Sequence, residues 1–274
     1  MEDLITICND NKKMIIFFDI DDTLFAPKIG IPQSAIEAIN KLRENGHMTF
    51  ICTGRSRSMV SKSMMDIGFD GIVAGAGTYI EYQGKVLSRN DLEEKEAWDI
   101  VTKLREIGFI PVPEGHDNLY YEKEENWTEK YKNIYGKYHR EIQEAMLEIP
   151  KDGKGLNVAK VSAVFTEKSN FEEAVAVFGD RYTVINHKNA LMELIPKGFS
   201  KAVGIESVIK LLDIPWENTC AFGDSMNDYE MLDYVNYSVA MGNSQEEIKK
   251  LAKYVTDDVE HDGIYNGLKK LGLI

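Results

Sequence analysis

The sequence from Met14 to Thr23, MIIFFDIDDT, contains the clearest structural pattern of the chain. Its first five residues are continuously apolar, which is typical of a strand buried on both faces of a parallel sheet. The strand ends in an acidic turn. Ligands of parallel sheets bind beyond the carboxyl ends of the strands, so this turn is expected at a functional site. Residues two apart point the same way along an extended chain, so Asp19 and Asp21 are both expected to face that site.

Strands and helices alternate on the carboxyl side of this turn. A helix is predicted from Pro32 to Asn45-Gly46, and a second helix over Arg57–Ile67. The strands predicted beside them are His47–Cys52, which ends in Thr53-Gly54-Arg55, and Gly71–Ala74. This alternation predicts an α/β fold with a Rossmann-like parallel sheet.

The pattern changes after the third strand. Gln83-Gly84 separates two short β-like segments and predicts a hairpin. We interpret residues 85–189 as an inserted domain of mixed helices and strands, and residues 1–84 and 190–274 as the core domain. Helices are predicted in the insert over Leu92–Ile107 and Trp127–Glu148, and strands near Asn157–Phe165 and Tyr182–Asn186. The core rhythm is expected to resume at Ala190–Ile195 and to continue through strands at Thr219–Phe222 and Ser238–Ala240.

A second acidic turn, Gly223–Asp228 or GDSMND, directly follows the apolar strand Thr219–Phe222. Both acidic turns and Thr53 are expected to converge at one edge of the sheet. Carboxylates that lie close together repel one another, and a cation relieves that repulsion. Oxygen ligands without histidine or cysteine favour Mg²⁺. Acidic turns also cap helices, but two of them after buried strands favour a metal site.

Composition restricts the classes of partner. The chain has 274 residues, with 32 Lys and Arg against 45 Asp and Glu, so its formal net charge is −13. Nucleic-acid binding requires clustered positive charge, so no nucleic-acid partner is expected. Cys8, Cys52 and Cys220 form no CxxC pair, which suits a reducing compartment. The N-terminal MEDLITICNDNKK does not resemble a signal peptide, and no apolar run is long enough to span a bilayer. We therefore predict a cytoplasmic protein without a membrane partner; no pattern indicates its oligomeric state.

Four segments, in order, carry a family resemblance: FFDIDDTLF, ICTGR, PKGFSKAVG and GDSMNDYEML. They resemble the four motifs of the haloacid dehalogenase superfamily. The insert between the second and third motifs resembles the C2 cap of Cof-type (subclass IIB) phosphatases. The resemblance covers nearly the whole chain. It implies a Rossmann-like core with an inserted α+β cap, a Mg²⁺ cofactor, and hydrolysis of a small-molecule phosphomonoester through an aspartyl-phosphate.

The resemblance also implies roles for individual residues. Asp19 resembles the nucleophile, and Asp21 resembles the general acid that later activates water. Thr53 resembles the hydroxyl donor to the phosphoryl group, and Lys201 resembles the lysine that offsets its charge. Asp224 resembles the metal ligand, joined by the Asp19 carboxylate and the Asp21 backbone carbonyl.

Three further residues of these motifs have expected roles. Gly54 accompanies Thr53 in substrate binding, Asn227 is a substrate-side polar contact, and Asp228 supports the metal or the lysine. Simpler interpretations stay open for several motif residues. Thr53 and Asn227 also suit helix caps, Lys201 suits an ordinary surface lysine of a first helical turn, and Arg55 suits either a phosphate contact or the surface.

One position departs from the family pattern. Many Cof-type members carry Asn-Gly after the third strand, whereas this chain has Ala76-Gly77. The departure affects expected substrate contacts rather than phosphoryl transfer. In the insert, core packing or a solvated surface is a better interpretation than substrate contact for each candidate residue, namely Tyr120, Tyr121, Trp127, His139, Arg140, His187 and Lys188.

Sugar phosphates are the substrates that the resemblance favours, while nucleotide-like phosphates and cofactor phosphates stay open. Two other functions also remain: a sugar phosphomutase of the same branch, and a non-catalytic protein that binds a phosphorylated metabolite. The intact set of aspartates and lysine argues against the non-catalytic protein. The absence of a basic cluster in the insert slightly favours a phosphatase over a mutase.

Overall fold

A computed structural model of the protein describes residues 12–274. Cys8 and most of the N-terminal segment considered above lie outside the described residues. The strands are Ile15–Phe18 (β1), Met48–Cys52 (β2), Gly71–Ala74 (β3), Tyr79–Tyr82 (β4), Lys85–Arg89 (β5), Ile110–Glu114 (β6), Leu119–Tyr121 (β7), Met146–Glu148 (β8), Lys160–Val164 (β9), Tyr182–His187 (β10), Leu191–Pro196 (β11), Thr219–Gly223 (β12), Tyr237–Ala240 (β13) and Tyr254–Val255 (β14). The helices are Gln33–Glu44 (α1), Lys62–Met65 (α2), Glu94–Glu106 (α3), Glu129–Tyr135 (α4), Tyr138–Glu141 (α5), Phe171–Phe178 (α6), Lys201–Leu211 (α7), Tyr229–Tyr234 (α8), Glu246–Leu251 (α9) and Gly263–Lys270 (α10).

The first of two compact units comprises residues 12–54 of the described chain, 63–87 and 200–274. Its eight-stranded sheet has the order β14-β13-β12-β1-β2-β3-β4-β5. The sheet is parallel from β14 to β3, and β4 runs antiparallel to β3. Phe18, at the end of β1, is in register with Ile51 on one side and Phe222 on the other. The turns that follow β1, β2 and β12 therefore emerge side by side.

The central strand β1 is buried on both faces, as its apolar run predicts, and each of its four residues is 0% exposed. On one face, Phe17 and Phe50 pack with Ile205 of α7 and Met231 of α8. On the other face, Phe18 stacks on Phe222 at 5.3 Å between ring centroids. Cys52 and Cys220 are buried free thiols, as expected for strand residues.

Two glycines bring the start of α7 directly against the loop that follows β3. A Cβ atom on Gly204 would lie 2.4 Å from Cγ1 of Val73, and 3.1 Å from the Cα atom of Gly77. Gly77 has φ +93°, and a Cβ there would lie 2.4 Å from the carbonyl oxygen of Ser200. Only glycine permits such an approach. The contact therefore fixes the position of Lys201, the first residue of α7, relative to the loop after β3.

The second unit comprises residues 55–62 and 88–199. Its six-stranded sheet has the order β10-β11-β9-β6-β7-β8. Helices α3 and α6 pack on one face through an apolar cluster that includes Leu104 and Phe178. The other face carries Tyr131, Tyr135 and Tyr138, which are buried together. These three tyrosines share one packed face although they belong to two helices, α4 and α5.

The boundaries predicted for the inserted domain were wrong at both ends. Leu191–Pro196 pairs antiparallel with β10 and β9 and so belongs to the second unit rather than to the core. Lys188 and Asn189 both have positive φ, 53° and 56°, which makes the tight turn that returns the chain into the same sheet. Conversely, β5 is a strand of the eight-stranded sheet, and its first three residues lie in the first unit.

Two predicted helices are also interrupted. Instead of one helix over Arg57–Ile67, the chain forms a 3₁₀ turn at Arg57–Met59 and the short α2. Trp127–Glu148 divides into α4, α5, a 3₁₀ turn and the strand β8. Within residues 12–274, the described helices include none with the length and apolarity that crossing a bilayer requires.

Candidate active site

Lys201 is the centre of a buried charged cluster at the carboxyl edge of the parallel sheet. Its Nζ lies 2.5 Å from Oδ1 of Asp19 and 2.5 Å from Oδ1 of Asp228. The lysine side chain is only 2% exposed. It is the first residue of α7, whose N-cap Ser200 accepts a hydrogen bond from the Val203 N–H. Burial lowers the pKa of Lys201, but the charges of Asp19 and Asp228 outweigh burial and leave its pKa above the ordinary value.

Asp228 joins the lysine to the second acidic turn. Its Oδ2 accepts hydrogen bonds from the N–H groups of Asp224, at 2.9 Å, and Ser225, at 3.1 Å. Its Oδ1 accepts from Lys201. Both oxygens of this fully buried carboxylate are therefore engaged by donors of the protein. The sequence GDSMND closes on itself, because the residue at its end binds the backbone near its start.

Asp224 lies beside this pair and is 8% exposed. Its Oδ1 accepts a hydrogen bond from the Thr23 hydroxyl at 3.1 Å, which links the two acidic turns. Burial, and next the charge of Asp228, raise the pKa of Asp224 to about 7, although the Thr23 hydrogen bond opposes the rise. Its ionised form is thus poorly compensated by the protein's own groups.

Asp19 shares this electrostatic environment. Its N–H donates to the Phe222 carbonyl at 3.0 Å, which continues the ladder between β1 and β12 past the last strand residue. Burial and the charge of Asp228 raise the pKa of the Asp19 carboxyl well above its ordinary value, and Lys201 only partly counters them. One lysine does not balance the carboxylates gathered here.

The donor set fits a hard divalent cation. Carboxylate oxygens of Asp19, Asp224 and Asp228 lie within 4.8 Å of one another. Mg²⁺ prefers such ligands and retains several waters. Since Lys201 and two backbone N–H groups already occupy the oxygens of Asp228, the side chains best suited to contact a cation are Asp19 and Asp224. A cation would also stabilise the ionised forms of Asp19 and Asp224, whose pKa values are raised by burial and next by the charge of Asp228.

The other predicted site residues lie on the same edge. Thr53 is buried directly after β2; its N–H donates to the Val73 carbonyl, and its carbonyl accepts from the Ala76 N–H at 3.1 Å. Gly54 follows it at the end of the first unit's opening segment. Asp21 is exposed in the turn after β1. Ala76 has φ +53°, a left-handed conformation that asparagine tolerates better than alanine.

Asn227 occupies the rim of the second acidic turn. It is exposed, and its Oδ1 accepts a hydrogen bond from the Ser225 hydroxyl at 2.7 Å. Of the residues proposed from sequence, the structure joins Asp19, Lys201 and Asp228 in direct contact. The contact of Thr23 with Asp224 was not predicted from the sequence, although the position of Thr23 in the DIDDT motif after the buried strand was a usable signal.

The aromatic and basic candidates of the second unit have local partners. The Tyr120 hydroxyl donates to the Gly155 carbonyl at 3.0 Å. Trp127 and His139 have ring centroids 4.6 Å apart, and Nε2 of His187 lies 3.1 Å from Oε2 of Glu193. For these candidates, the sequence analysis favoured packing or a solvated surface over substrate contact, and the contacts described here are packing contacts.

The comparison with known families agrees with the motifs. The model of the haloacid dehalogenase-like hydrolases matches residues 16–268. The chain belongs to this hydrolase family. The expected resemblance to Cof-type phosphatases is confirmed, and this hydrolase is a phosphatase.

Individual relatives match nearly all of this sequence. It is 28% identical to the putative phosphatase YkrA of Bacillus subtilis, covering 95% of this chain and 98% of that protein. A solved structure from Geobacillus kaustophilus HTA426 has a TM-score of 0.83 at 28% identity, covering 96% and 100% of the two chains. The solved structure of BT4131, described as a subclass IIB sugar phosphatase, has a TM-score of 0.81 at 26% identity, covering 96% of this chain and 100% of that one.

Proposed function

We propose that this hydrolase is a Mg²⁺-dependent phosphomonoesterase that acts through a phosphoryl group carried by Asp19. The observation that carries the proposal is the buried Lys201, 2.5 Å from both Asp19 and Asp228, with Asp224 beside them. Such a cluster is costly for stability alone, because buried ion pairs repay their desolvation poorly. It suits phosphoryl transfer, which depends mainly on positioning and neutralisation of charge.

In the first step, a carboxylate oxygen of Asp19 attacks phosphorus and the bond to the ester oxygen breaks. Asp21 donates a proton to the departing oxygen, which leaves as an alcohol. Lys201 offsets negative charge on the nucleophile and on the phosphoryl oxygens. Thr53, with the backbone of Gly54, contributes hydrogen bonds to the same oxygens. The carboxylate serves as a covalent relay that divides one difficult displacement into two easier ones.

In the second step, Asp21 removes a proton from a water molecule, which attacks the phosphorus of the aspartyl-phosphate. The bond between phosphorus and Asp19 breaks, inorganic phosphate leaves, and the Asp19 carboxylate is restored. General acid–base catalysis of this kind contributes about a hundredfold to ten-thousandfold. Asp228 acts through Lys201, which it holds beside Asp19.

The residues that would hold Mg²⁺ are the carboxylates of Asp19 and Asp224 with the backbone carbonyl of Asp21. When bound, the ion supplies electrostatic stabilisation of the transferring phosphoryl group. Asn227 would add a polar contact on the substrate side.

We further propose a small phosphorylated metabolite as the substrate, with sugar phosphates and cofactor phosphates as the leading classes. Two relatives support this choice: BT4131 is described as a sugar phosphatase. A Bacillus subtilis relative, 24% identical over 280 residues, is named as a phosphatase of 5-amino-6-(5-phospho-D-ribitylamino)uracil.

The test measures phosphate release from 4-nitrophenyl phosphate and from a panel of sugar and cofactor phosphates, with Mg²⁺ and with EDTA. Turnover should require Mg²⁺ and vanish in Asp19→Asn. Asp233→Asn is the matched control, because Asp233 is an exposed aspartate of α8 in the same unit, and it should retain full activity. Retained turnover in Asp19→Asn would overturn the assignment of the nucleophile.

The same panel separates the other functions. Transfer of phosphate between sugar positions without net release would indicate a mutase, and tight binding without either reaction would indicate a non-catalytic protein.

A further inference from the structure

The loop between β13 and α9, residues 241–245, contacts both acidic turns. On the side of Asp224, the Met241 N–H donates to the Gly223 carbonyl at 3.0 Å, and the Gln245 N–H donates to the Asp224 carbonyl at 3.3 Å. The loop also contacts the segment that follows β14, since the Gly242 N–H donates to the Asp257 carbonyl at 3.0 Å. It is therefore a fixed part of the sheet edge.

Asn243 extends from this loop to the first acidic turn. Its Nδ2 donates to the backbone carbonyl of Asp22 at 2.8 Å. Its Oδ1 accepts from the Val259 N–H at 3.0 Å. Both ends of the amide are engaged, by segments 221 and 16 residues away in sequence. Asn243 and Asp22 also line an acidic cavity of about 540 Å³ together with Asp224.

The carbonyl that Asn243 holds belongs to a residue in the left-handed region. Asp22 has φ +57°, a conformation that aspartate adopts more readily than most residues because its short side chain can hydrogen-bond locally. The turn is closed by the Asp22 N–H on the Phe25 carbonyl at 2.8 Å and by the Phe25 N–H on the Ile20 carbonyl at 2.8 Å. Asp21 lies inside this turn, directly before Asp22. Loss of the hydrogen bond to the Asp22 carbonyl would let the Ile20–Phe25 turn shift, and Asp21 would shift with it.

We propose that Asn243 is a positioning residue that holds the Asp19–Thr23 turn so that Asp21 is aligned for proton transfer. The alignment of Asp21 rests on the proposed function, in which Asp21 is the general acid and base. The hydrogen bond from Asn243 to the Asp22 carbonyl is an observation that does not depend on that function. A solvent-exposed hydrogen bond adds little to stability, whereas a misplacement of about 1 Å at a reacting group costs about a hundredfold in rate. The amide therefore matters more to turnover than to folding.

The test compares Asn243→Ala with Asn266→Ala. Asn266 is an exposed asparagine of the same unit whose amide also donates to a neighbouring loop, at 2.8 Å to Asp257 Oδ2, without contact to the acidic turns. Values of kcat/KM are measured with phosphate esters whose leaving groups range from acidic phenols to alkyl alcohols. Asp21→Asn provides the reference for loss of the general acid.

Alkyl alcohols need a proton in order to leave, whereas acidic phenols do not. Asn243→Ala is expected to lower kcat/KM for alkyl esters about tenfold to a hundredfold and to leave aryl esters within about threefold. Asn266→Ala should leave both unchanged. An equal loss for all leaving groups, or no loss for alkyl esters, would overturn the role of Asn243.

Hydrogen exchange of the peptide that covers residues 19–26 gives a second readout without turnover. Exchange should accelerate in Asn243→Ala and not in Asn266→Ala. Unchanged exchange would refute the proposal that Asn243 holds this turn, even if the variant remained active. Accelerated exchange in a protein that hydrolyses no phosphate ester would instead refute the proposed function and leave the contact intact.

Discussion

Replacing Asp228 or Asp224 by asparagine is expected to change the stability of the metal-free protein in opposite directions, although the two residues share one turn. Asp228 accepts from Lys201 and from two backbone N–H groups. An amide that keeps its oxygen on the N–H groups turns its NH₂ towards the lysine Nζ, so two donors face each other. Removing one partner of a buried pair costs about 3–5 kcal/mol, and we expect a loss of that size.

Asp224→Asn should change stability in the opposite direction, because the folded protein disfavours the ionised form of Asp224. The pKa is raised from the ordinary 3.8 to about 7, a difference of roughly three units that corresponds to about 4 kcal/mol as an upper bound. An amide keeps an acceptor for Thr23 and carries no charge. We expect Asp224→Asn to stabilise the metal-free protein by about 1–3 kcal/mol at pH 8. The gain should shrink as pH falls from 7 towards 4, because the folded carboxyl is then protonated.

The assay is urea unfolding in EDTA, read by hydrogen exchange of peptides from β1 and β12, which reports on the first unit alone. Mg²⁺ should then stabilise the wild type by mass action and stabilise Asp224→Asn much less. Asp233→Asn serves as the surface control. A destabilised Asp224→Asn at pH 8 in EDTA, or a neutral Asp228→Asn, would refute the electrostatic reasoning.

Three further changes test other parts of the molecule. Burial lowers the pKa of His47 below its ordinary 6.5. As pH decreases below 6.5, the unfolded chain is therefore protonated at His47 before the folded protein is, and the free energy of unfolding falls. His47→Gln should reduce this fall, as measured by urea midpoints at different pH. Lys160 is 1% exposed and lies between Glu193, at 2.6 Å, and Glu114, at 3.4 Å; Lys160→Met should cost about 3–5 kcal/mol in calorimetry, and adding Glu114→Gln should restore part of it. Ala76→Gly removes a left-handed alanine and should raise the thermal midpoint, with a net gain of up to about 1 kcal/mol; a lower midpoint would contradict this.

The sequence was sufficient to predict which turns lie at the carboxyl edge of the parallel sheet, because the relevant information is local. Asp19 and Asp224 each follow a short apolar run, and in a parallel sheet such runs end at the same edge whatever the loops between them do. The chemistry of the acidic turns could thus be proposed before any long-range contact was known.

The boundary at residue 190 could not be predicted in the same way. β11 has the apolar character of a core strand, and its assignment depends on the turn before it. Lys188 and Asn189 form that turn with positive φ, and lysine there gives no turn signal comparable to Asn-Gly. The role of Asn243 was also inaccessible, because its partner Asp22 lies 221 residues away and no local pattern connects them.

The order of strands in the first sheet has a consequence for synthesis of the protein. β1 is synthesised well before β12, Thr219–Gly223, which is one of its two neighbours in the sheet. At about 5–20 residues per second, the ribosome needs roughly 10–40 s to make the intervening chain. During that time an entirely apolar strand with an open edge must be kept from pairing elsewhere. The nascent chain therefore carries an unpaired edge of β1 until β12 is made, and Asp19 likewise precedes Lys201, its partner in the buried cluster, by 182 residues.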